Sequence, residues 1–391
     1  MRHLASIQKI WKLTPIEGAD RIELAHILGW QCVVNKGIFK EGDLCVYFEI
    51  DSFLPIRPEY EFLRKSSYKD SPILGEGFRL KTMKFRGQIS QGLALPLEDV
   101  GILFKDNGDN KHNVRDYVYR TPEGNEIELI DNVKDVTLYQ TISLEGMDVT
   151  DLLGVVEWEI PERATSGGTI AGKASKYIHV TDETRIQSVD GLFESFEGLP
   201  YYITTKLDGS SHSVCVDSEG VFRVFGHNFE YKDDGQSFFY EWVKKHNVEE
   251  IIRKYMKEHN LTSMTVQGEL CGEGIQKNRL RLPEANWFFF TIDENDQRVG
   301  IDEMLQFKHF CEVEGSPLDI VPVQEYGEDL VLKYKTKEAL LERASVDSTG
   351  IYKGGQPEGI VIRPTVPVYS GVVEGALSMK VINNKYLLKN D

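Results

Sequence analysis

Residues 201–211 read Tyr-Tyr-Ile-Thr-Thr-Lys-Leu-Asp-Gly-Ser-Ser. The aromatic and β-branched run ends at Lys206, and a turn rich in Gly and Ser separates it from the next strand-like run. This pattern predicts a strand, a tight turn and a second strand. A lysine at a strand end, beside small residues that let a phosphate approach, can act as a nucleophile. An ordinary surface hairpin would have the same local pattern, so the assignment depends on what else the sequence contains.

Three carboxylates and a second lysine accompany Lys206 along the chain. Asp208 lies two residues on, Glu269 lies in Gln-Gly-Glu-Leu-Cys-Gly, and Glu358 lies in Pro-Glu-Gly-Ile-Val-Ile. Lys380 follows in Ser-Met-Lys-Val-Ile. Hard oxygen ligands suit Mg²⁺, which keeps several waters and is bound by a few carboxylates together with phosphate, and lysines suit a polyphosphate as point charges. Each carboxylate alone is typical of a solvated turn, whereas the set favours a metal-dependent phosphate site.

The composition excludes several classes of protein. The chain has 391 residues, with 45 Lys+Arg against 62 Asp+Glu and a formal net charge of −17, which is unlike a general DNA coat or a membrane-surface protein. No apolar run approaches the roughly 20 residues of a membrane span, and the N-terminus has no apolar signal-peptide core, so we expect a cytoplasmic protein. Five cysteines lie far apart without CxxC spacing, which disfavours disulfides and structural zinc. They are Cys32, Cys45, Cys215, Cys271 and Cys311.

The length fits two domains. Residues 1–100 contain short strand-like runs separated by Gly, Pro and Asp, a spacing that is typical of a small β-barrel. Residues 101–150 are polar and acidic, and we interpret them as an insertion, so that the first domain spans 1–150. Residues 162–175 are small and polar, which predicts a flexible linker. We therefore assign 151–175 as the linker and 176–391 as the second domain.

The second domain has a mixed α+β pattern. A long helix is predicted over 237–258, where apolar residues recur at near-helical spacing and Asn260 offers a stop. Shorter helices are predicted over Ile301–Val313 and over 337–344. Strand-like runs occur at 201–205, 213–216, 221–225, 264–268, 287–292 and 359–363.

Taken in order, these motifs resemble the covalent nucleotidyltransferases, which include ATP-dependent RNA and DNA ligases and mRNA capping enzymes. Lys-Leu-Asp-Gly from Lys206 is similar to motif I, and Glu269 is similar to the glutamate of motif III. Residues 287–292 are similar to motif IIIa, residues 358–361 to motif IV, and Lys380 to the first lysine of motif V. The ordered set is specific, although no single member of it is.

Three further stretches resemble RNA ligases in particular. They are residues 181–187, residues 267–269 together with 274–278, and residues 83–92. The last stretch is similar to the N-terminal barrel of RNA ligases whose OB domain precedes the transferase. The resemblance covers residues 1–100 and 176–391. It implies an α+β fold class, with an N-terminal OB-like β-barrel followed by an antiparallel-sheet-rich nucleotidyltransferase (adenylyltransferase) domain.

The resemblance implies an ATP-dependent RNA ligase that works in three steps. Lys206 attacks the α-phosphate of ATP, AMP passes to an RNA 5′-phosphate, and a 3′-hydroxyl then attacks the activated end. The resemblance also implies Mg²⁺ or Mn²⁺ as cofactor, held by Asp208, Glu269 and Glu358 through water. The catalytic residues that it implies are Lys206, Asp208, Glu269, Glu358 and Lys380. The nucleotide-binding residues that it implies are Arg185, Thr205, Lys206, Gly209, Glu269, Phe290, Glu358 and Lys380, with Phe290 stacked on adenine.

The N-terminal barrel contains the candidate RNA-binding residues. Lys81, Lys84 and Arg86 lie close to Phe85 and other apolar residues, and cations beside aromatics suit a groove that tracks a nucleic-acid backbone. A solvated basic face of an amphipathic strand is an equally good interpretation. By resemblance, OB-first ligases favour nicks in duplexes with RNA on the 3′-hydroxyl side. The expected partners are therefore ATP and RNA or an RNA-containing nicked duplex, with no membrane and no obligate protein partner.

Three positions depart from the family pattern. His227 stands where many relatives have an arginine, Thr291 where motif IIIa often has an aspartate, and Ile382 where motif V often has a second lysine. We expect these departures to affect substrate binding and the rates of individual steps more than the formation of the covalent intermediate. Two alternatives stay open. One is a DNA ligase or capping-type nucleotidyltransferase, which usually places the OB domain after the transferase, and the other is a non-catalytic RNA-binding relative, against which the intact Lys206 argues.

Overall fold

A computed structural model places the chain in two units, residues 1–161 and residues 162–389. Each unit has its own buried apolar core. Among the residues that the structure describes, no helix is long and apolar enough to cross a membrane. The described residues are 3–105, 117–129, 144–158, 168–179, 183–353 and 355–390.

Short antiparallel strands and one helical turn make up the described part of the first unit. The strands are β1 (Ala5–Pro15), β2 (Ile22–Ile27), β3 (Trp30–Asn35), β4 (Leu44–Phe48), β5 (Ser52–Pro55), β6 (Tyr68–Ser71), β7 (Gly75–Arg79), β8 (Met83–Phe85), β9 (Gln88–Ser90), β10 (Leu93–Leu95), β11 (Ile102–Phe104), β12 (Tyr117–Arg120), β13 (Glu126–Glu128) and β14 (Val156–Glu157), and the helix is α1 (Arg64–Ser67). A five-stranded sheet has the order β10-β4-β1-β2-β3, and a four-stranded sheet has the order β14-β5-β7-β6. Strands β8 and β9 form a separate hairpin.

Strand β1 takes part in two pairings. Its first half pairs with β4, and its second half pairs with β2. A β-bulge between Ile10 and Lys12 shifts the register of the second pairing, and a bulge bends a strand and increases its twist. The core of the unit contains alternate residues of these strands, such as Ile7, Val46 and Phe48. Curvature of β1 thus lets one strand contribute to both parts of the sheet around a common core.

Part of the predicted insertion at 101–150 belongs to the first unit. Strands β11, β12 and β13 form a three-stranded antiparallel sheet. The end of the segment packs on β1, where Val149 donates its N–H to the oxygen of Ala5 at 2.9 Å. The rest of the predicted insertion, residues 106–116 and 130–143, lies outside the described residues.

Two antiparallel sheets form the framework of the second unit. Its strands are β15 (Ile170–Lys173), β16 (Tyr201–Lys206), β17 (Ser210–Val216), β18 (Phe222–Phe225), β19 (Phe229–Tyr231), β20 (Met264–Cys271), β21 (Asn286–Glu294), β22 (Gln297–Arg298), β23 (Asp319–Ile320), β24 (Val323–Gly327), β25 (Gly359–Pro364), β26 (Tyr369–Ser370), β27 (Gly375–Ala376) and β28 (Met379–Ile382). An eight-stranded sheet has the order β15-β19-β18-β17-β20-β21-β22 with β23 beside β21, and a four-stranded sheet has the order β24-β16-β25-β28. Every strand-like run predicted for this domain overlaps one of these strands.

The helices of the second unit correct one prediction. They are α2 (Phe238–Lys245), α3 (Val248–His259), α4 (Ile301–Val313), α5 (Leu330–Tyr334), α6 (Lys337–Arg343) and α7 (Asn384–Asn390). The single helix predicted over 237–258 is wrong, because Asn247 adopts a left-handed conformation (φ 53°) that separates α2 from α3. Apolar periodicity continues across this break, since both helices bury residues in one core cluster. The predicted stop at Asn260 and the predicted helix Ile301–Val313 are confirmed.

The described parts of the predicted linker at 151–175 contain two strands, one in each unit. Strand β14 pairs with β5 in the first unit, and β15 pairs with β19 in the second. Strand pairing uses main-chain N–H and C=O groups, so small residues can take part in it, and composition does not distinguish such a strand from a linker. Residues 159–167 lie outside the described residues.

The four-stranded sheet of the second unit has one face in the core and one face toward the candidate site. Ile203, Ile362 and Val381 lie in the core cluster on one face. Because successive residues of a strand point to opposite faces, Lys206 and Lys380 lie on the other. The turn after Lys206 leads directly from β16 into β17 of the eight-stranded sheet. The lysine therefore lies where the two sheets join.

Candidate active site

A buried tyrosine fixes the turn that follows Lys206. The Tyr352 hydroxyl donates to the main-chain oxygen of Lys206 at 2.8 Å and accepts the main-chain N–H of Asp208 at 3.1 Å. Gly209 is required by close packing, since a Cβ there would lie 2.4 Å from the main-chain oxygen of Leu270. The backbone is thus held on both sides of the turn. The motifs did not identify Tyr352, and an isolated tyrosine gives no sequence signal for this role.

The Lys206 amine forms an ion pair with Glu358, and the two atoms lie 2.6 Å apart. The register of β16 on β25 places Lys206 opposite Gly359, so the residue that precedes the strand reaches the amine. The exposed fractions of the two side chains are 27% and 14%. A charge-assisted hydrogen bond at this depth is less screened than a surface pair. The structure therefore brings together two predicted site residues that are 152 positions apart.

Glu269 lies on β20 and faces the same group of residues. Its carboxylate accepts the main-chain N–H of Gly209 at 3.0 Å. Burial raises the pKa of the Glu269 carboxyl to about 8; the positive charge of Lys206 opposes this rise, and the negative charges of Glu358 and Asp208 add to it. Three carboxylates therefore lie close enough to influence one another, as the sequence predicts, and a cation among them would favour their ionised form.

Asp208 forms an ion pair with Arg279, a residue that the motifs did not identify. The Arg279 guanidinium lies 4.8 Å from the centre of the Tyr386 ring. Burial raises the pKa of the Tyr386 hydroxyl, the charges of Glu358 and Asp208 raise it further, and so does its hydrogen bond with Asp208. Arg279 comes from the segment between β20 and β21, and Tyr386 comes from α7. The Asp208 carboxylate is thus held from two distant parts of the chain.

Lys380 lies on β28, with the backbone of Arg185 beside it. Lys380 donates its main-chain N–H to the oxygen of Thr184 at 2.9 Å, and its own oxygen accepts the N–H of Ile186 at 3.1 Å. Arg185 and Lys380 form a parallel bridge. The segment 181–187, which resembles RNA ligases in sequence, is therefore attached to the edge of the four-stranded sheet. Its first two residues lie outside the described residues.

Phe290 is the extra residue of a β-bulge in the pairing of β20 with β21. A bulge turns a side chain away from the regular alternation of the strand. The main-chain oxygen of Phe290 accepts a hydrogen bond from Arg363 at 2.6 Å, and the guanidinium lies 5.6 Å from the centre of the phenyl ring. An arginine of the four-stranded sheet thereby holds the residue that is predicted to stack on the base.

The same arginine forms a buried ion pair with Glu183, which also accepts the Ser378 hydroxyl. Burial alone would raise the pKa of Glu183, but the charge of Arg363 and the two hydrogen bonds bring it below its usual value. Breaking a buried pair by removing one partner costs about 3–5 kcal/mol. Arg363 was missed by sequence reasoning, although its place at the end of the apolar run Gly-Ile-Val-Ile was a usable signal.

Thr205 precedes the lysine and lies on the opposite face of the sheet by strand alternation. Its hydroxyl accepts a hydrogen bond from the Gln324 side-chain amide at 2.9 Å, and its main-chain N–H donates to the oxygen of Pro322 at 2.9 Å. The structure therefore does not bring the Thr205 hydroxyl to the group around Lys206. A role for Thr205 in nucleotide binding remains a prediction.

The three departures from the family pattern have different surroundings. His227 is exposed beyond the end of β18. Thr291 is buried, and its hydroxyl has no hydrogen-bond partner in the part of the chain that the structure describes. Ile382 is 4% exposed, and the strand register places Lys206 opposite Gly359 and Gly359 opposite Ile382. An apolar side chain thus takes the position on β28 that lies in line with Lys206.

The predicted metal residues offer oxygen ligands without forming a direct metal cage. Within the described ranges, no group of three or more His, Cys, Asp or Glu side chains is close enough to hold a metal ion directly. Burial is the chief cause of the raised pKa of Glu269, and the negative charges of Glu358 and Asp208 raise that pKa further. This donor set fits a hydrated Mg²⁺ or Mn²⁺, which keeps several of its waters and needs few direct protein ligands.

The predicted RNA-binding residues of the first unit lie on and near the β8–β9 hairpin. Lys84 pairs with Ile89, and Arg86 adopts a left-handed conformation (φ 48°) at the turn. Lys84, Phe85 and Arg86 are exposed, whereas Lys81 is partly buried. In the described parts of the chain, none of these three cations forms an ion pair with a carboxylate. The hairpin therefore presents positive charge and an aromatic ring to solvent.

Trp11 is a second exposed aromatic residue of the first unit. It is the extra residue of the β1 bulge, and its side chain is 55% exposed. The indole N–H donates to the oxygen of Leu28 at 3.0 Å, and the ring centre lies 5.2 Å from that of His26. These contacts hold a large flat ring at the surface. Sequence reasoning missed it because a bulge depends on cross-strand register, which the local pattern does not reveal.

Comparison with known protein families agrees with the two-unit structure. An OB-fold domain family matches residues 4–97, and the RNA ligase family matches residues 199–382. A search of curated proteins found no match. The OB fold, the sheet framework and the lysine at its junction define a covalent nucleotidyltransferase of the ligase type. The predicted fold class, α+β with an N-terminal OB-like barrel, is thus confirmed.

Solved structures of an RNA ligase from Naegleria gruberi match the whole chain. A mutant with AMP and Mn is 29% identical with a TM-score of 0.78, over 100% of this chain and 99% of that chain. The form with PPi is 30% identical with a TM-score of 0.78 over the same shares. A mutant with ATP and Mn is 30% identical with a TM-score of 0.77, over 99% of this chain and 98% of that chain. This protein belongs to the RNA ligase family.

Proposed function

We propose that this protein is an ATP-dependent RNA ligase that joins a 3′-hydroxyl RNA end to a 5′-phosphate end at nicks in duplexes. The observation that carries the proposal is the Lys206 amine, held 2.6 Å from Glu358 where the two sheets of the second unit join. The Naegleria gruberi ligase has been solved with ATP and Mn, with AMP and Mn, and with PPi. ATP is the substrate and pyrophosphate a product of the first step of such a reaction, AMP is the group that it transfers, and Mn is a divalent metal.

In the first step, Lys206 Nζ forms a bond to the α-phosphorus of ATP, and the bond to pyrophosphate breaks. The amine has to lose a proton before it attacks, and the Glu358 carboxylate is in hydrogen-bonding contact with it. The product is an AMP group attached to the lysine nitrogen. Because the protein supplies little covalent chemistry beyond this lysine, position and charge account for most of the acceleration.

The second and third steps transfer the same AMP group. An oxygen of the RNA 5′-phosphate attacks the AMP phosphorus, and the bond to Lys206 breaks, which returns the amine. The 3′-hydroxyl of the other strand then attacks the activated 5′-phosphate, loses its proton, and releases AMP. Lys206 is a leaving group in the second step and is not consumed in the third, so the third step depends on the remaining charged residues.

The nucleotide lies, in this proposal, between the two sheets of the second unit. Phe290 stacks on the adenine, since the bulge turns it out of the regular strand and Arg363 holds its backbone. Lys380 lies on the face of Lys206 and neutralises the α-phosphate. Arg185 is held beside Lys380 and contributes a second positive charge. Gly209 lets the chain pass close to the phosphates, because it has no side chain.

A divalent metal would be held through its waters by Asp208, Glu269 and Glu358. Bound there, Mg²⁺ or Mn²⁺ would neutralise charge on the phosphate and lower the proton affinity of the nearby lysine. Glu269 is the carboxylate whose orientation is already fixed, because it accepts the N–H of Gly209. Glu358 has to serve both the amine and the metal waters, which its two oxygens allow.

The first unit serves as the RNA platform. The β8–β9 hairpin exposes Lys84 and Arg86, and Trp11 offers a flat ring for stacking. The row of paired residues Lys12, His26 and Gln31 runs across the sheet, and the Gln31 side-chain amide donates to the oxygen of Ile89 in the hairpin at 2.9 Å. The basic hairpin and the exposed ring thus belong to one continuous surface, which suits a nucleic-acid backbone with accessible bases.

We also place the enzyme in a reducing compartment such as the cytoplasm. All five cysteines are buried free thiols. Burial raises the pKa of Cys32 to about 11 and that of Cys311 to about 12, so little thiolate forms at neutral pH. None of the thiols is therefore suited to a disulfide with an external partner.

The test of the proposed function uses ATP labelled on its α-phosphate. After incubation with Mg²⁺ and a denaturing gel, the protein band should carry the label, and unlabelled pyrophosphate should reverse the reaction. A nicked duplex with a 3′-hydroxyl RNA end should then be sealed. Labelling by GTP in preference to ATP would indicate a capping-type enzyme, and sealing of all-DNA nicks at the same rate would indicate a DNA ligase. No label with either nucleotide would indicate a non-catalytic RNA-binding relative.

A further inference from the structure

Charge around Lys206 is unevenly distributed. Three carboxylates lie near it, and the position on β28 that lies in line with it is occupied by the buried, apolar Ile382. Lys206 itself has to become neutral before it can attack a phosphate. Lys380 and Arg185 supply fixed positive charge from the four-stranded sheet. A nucleoside triphosphate adds several negative charges to those of the carboxylates, so a third fixed cation near Lys206 would strengthen phosphate binding.

Arg279 is a further cation in contact with this group. It pairs with Asp208, two residues from the nucleophile, and the exposed fractions of the two side chains are 18% and 20%. Tyr386 lies against the guanidinium and hydrogen-bonds to the same carboxylate. Tyr386 lies four residues after Ile382, near the start of α7, so Arg279 contacts the segment that follows β28.

The segment that carries Arg279 has a defined conformation. The Asn278 side chain accepts the main-chain N–H of Leu282 at 3.0 Å and donates to the oxygen of Leu282 at 2.9 Å. Asn278 and Arg281 both adopt left-handed conformations, with φ values of 42° and 53°. The hydrogen bonds between Asn278 and Leu282 close the turn. They hold Arg279, which lies between these residues, in the position from which it pairs with Asp208.

We propose that Arg279 provides the positive charge that this chain lacks at position 382. It positions the Asp208 carboxylate beside Lys206, and its guanidinium adds fixed positive charge at the phosphate end of the nucleotide. A guanidinium remains charged at every pH at which the enzyme works, so the group does not titrate with the lysines around it. The proposal rests on the proposed function, because it assigns a residue to the same adenylyl transfer.

The experiment separates charge from size in the full-length protein. Arg279→Met keeps the length of the side chain and removes the charge, and Arg279→Lys keeps the charge. With labelled ATP and Mg²⁺, the rate of lysyl-AMP formation should fall at least about tenfold in R279M, as for loss of one electrostatic partner, and by less than about threefold in R279K. Arg281→Gln removes only the charge of an exposed arginine in the same turn and keeps a long side chain at that backbone position, so it should leave the rate unchanged.

A double variant tests the link to position 382. Ile382→Lys alone should change the rate by less than about threefold, whereas R279M/I382K should recover most of the rate that R279M loses. Local packing does not produce such a recovery, because the two side chains differ in shape and come from distant parts of the chain. Thermal melting of each variant confirms that the comparison is made on folded protein.

The outcomes are decisive in each arm. Equal losses in R279K and R279M, or no loss in R279M, overturn the proposal, and so does a double variant no faster than R279M. If I382K alone is inactive, the comparison of R279K with R279M decides. Absence of lysyl-AMP in the unmodified protein would instead overturn the proposed function, which keeps the two failures apart.

Discussion

The two units of this ligase use charged residues in opposite ways. In the second unit, Lys206, Glu358 and Asp208 are partly buried and each has a specific partner. In the first unit, Lys84 and Arg86 stand exposed on a hairpin, with no carboxylate partner among the described residues. Covalent transfer needs fixed distances, whereas contact with a phosphate backbone needs accessible charge. In the proposed function, the same residue types thus serve chemistry in the second unit and RNA binding in the first.

This difference predicts two sizes of effect. Substitution of a residue that is fixed by several partners should abolish most of the activity that depends on it, because no neighbour can take its place. An exposed cation should contribute a small share of a larger electrostatic attraction. Substitutions in the second unit should therefore affect each chemical step strongly, and substitutions in the first unit should mainly weaken RNA binding.

The largest effect is expected for Lys206→Ala. The variant should form no detectable lysyl-AMP, because in the proposed reaction the Lys206 amine is the atom that bonds to the α-phosphorus. Supplied with RNA that already carries a 5′-adenylate, it should still join ends, since the third step does not use the nucleophile. Gel assays of both reactions check this. Normal self-adenylylation by K206A would contradict the assignment of the nucleophile.

Glu269→Gln and Glu358→Gln should each slow lysyl-AMP formation about a hundredfold, as for other lost electrostatic groups at reacting centres. Glutamine at 269 can still accept the N–H of Gly209, so the backbone should stay in place while the negative charge is lost. Rates measured over a range of Mg²⁺ and Mn²⁺ concentrations test this. Rates near those of the unmodified protein at saturating metal would exclude both residues from the site.

Removal of the first unit should separate the two functions. The second unit has its own core clusters, so a protein that begins near residue 162 should still form lysyl-AMP. It should seal nicked duplexes poorly, because the exposed cations are lost. Single-turnover labelling and sealing assays at matched salt measure the two activities. Sealing at the full rate would show that the first unit is not the RNA platform.

Charge reversal on the hairpin should reproduce part of that loss. Lys84→Glu with Arg86→Glu should weaken binding of nicked RNA duplex about tenfold and reduce its dependence on salt concentration, because fewer counterions are released. Lys65→Glu with Lys69→Glu is a matched control, since both lysines are exposed on another part of the same unit. Binding titrations at several salt concentrations compare the pairs. Equal effects of the two pairs would indicate a general charge effect.

The smallest effect is a pH dependence of stability. The pKa of Glu269 is raised from 4.5 to about 8 in the folded protein, chiefly by burial. The folded state then binds the proton more tightly than the unfolded chain, so this contribution to the free energy of unfolding is present below pH 4.5 and is lost as pH rises to about 8.

Thermal melting in EDTA provides the measurement. The unmodified protein should lose stability relative to Glu269→Gln as pH rises through this range, and Mg²⁺ should reduce the difference at the upper end. A difference that does not change with pH would show that the carboxylate is not held in a desolvated site.

The sequence was most informative where local pattern and function coincide. The strand that ends at Lys206, the turn at Gly209 and the apolar strand after Glu358 have strong local signals, and the structure brings these residues together. Tyr352 and Arg279 have no such signal. Their roles depend on contacts with Asp208 that form only when distant parts of the chain come together. The sequence around a single tyrosine or arginine does not reveal such a contact.

The break at Asn247 was unpredictable for a related reason. The apolar residues on both sides of it pack in one core cluster, so their spacing continues as if the helix were unbroken. Asparagine tolerates a left-handed conformation better than most residues, but it also occurs within helices. Only the packing of α2 and α3 on the sheet decides between the two, and packing is a property of the whole unit.

The most direct measurement of the central claim is the identity of the residue that carries AMP. The full-length protein is incubated with ATP and Mg²⁺, quenched under conditions that preserve the phosphorus–nitrogen bond, digested, and analysed by mass spectrometry. We predict one modified peptide, with the mass of AMP on Lys206. AMP on Lys380, on a lysine of the first unit, or on no residue while RNA is still joined would contradict the proposed site.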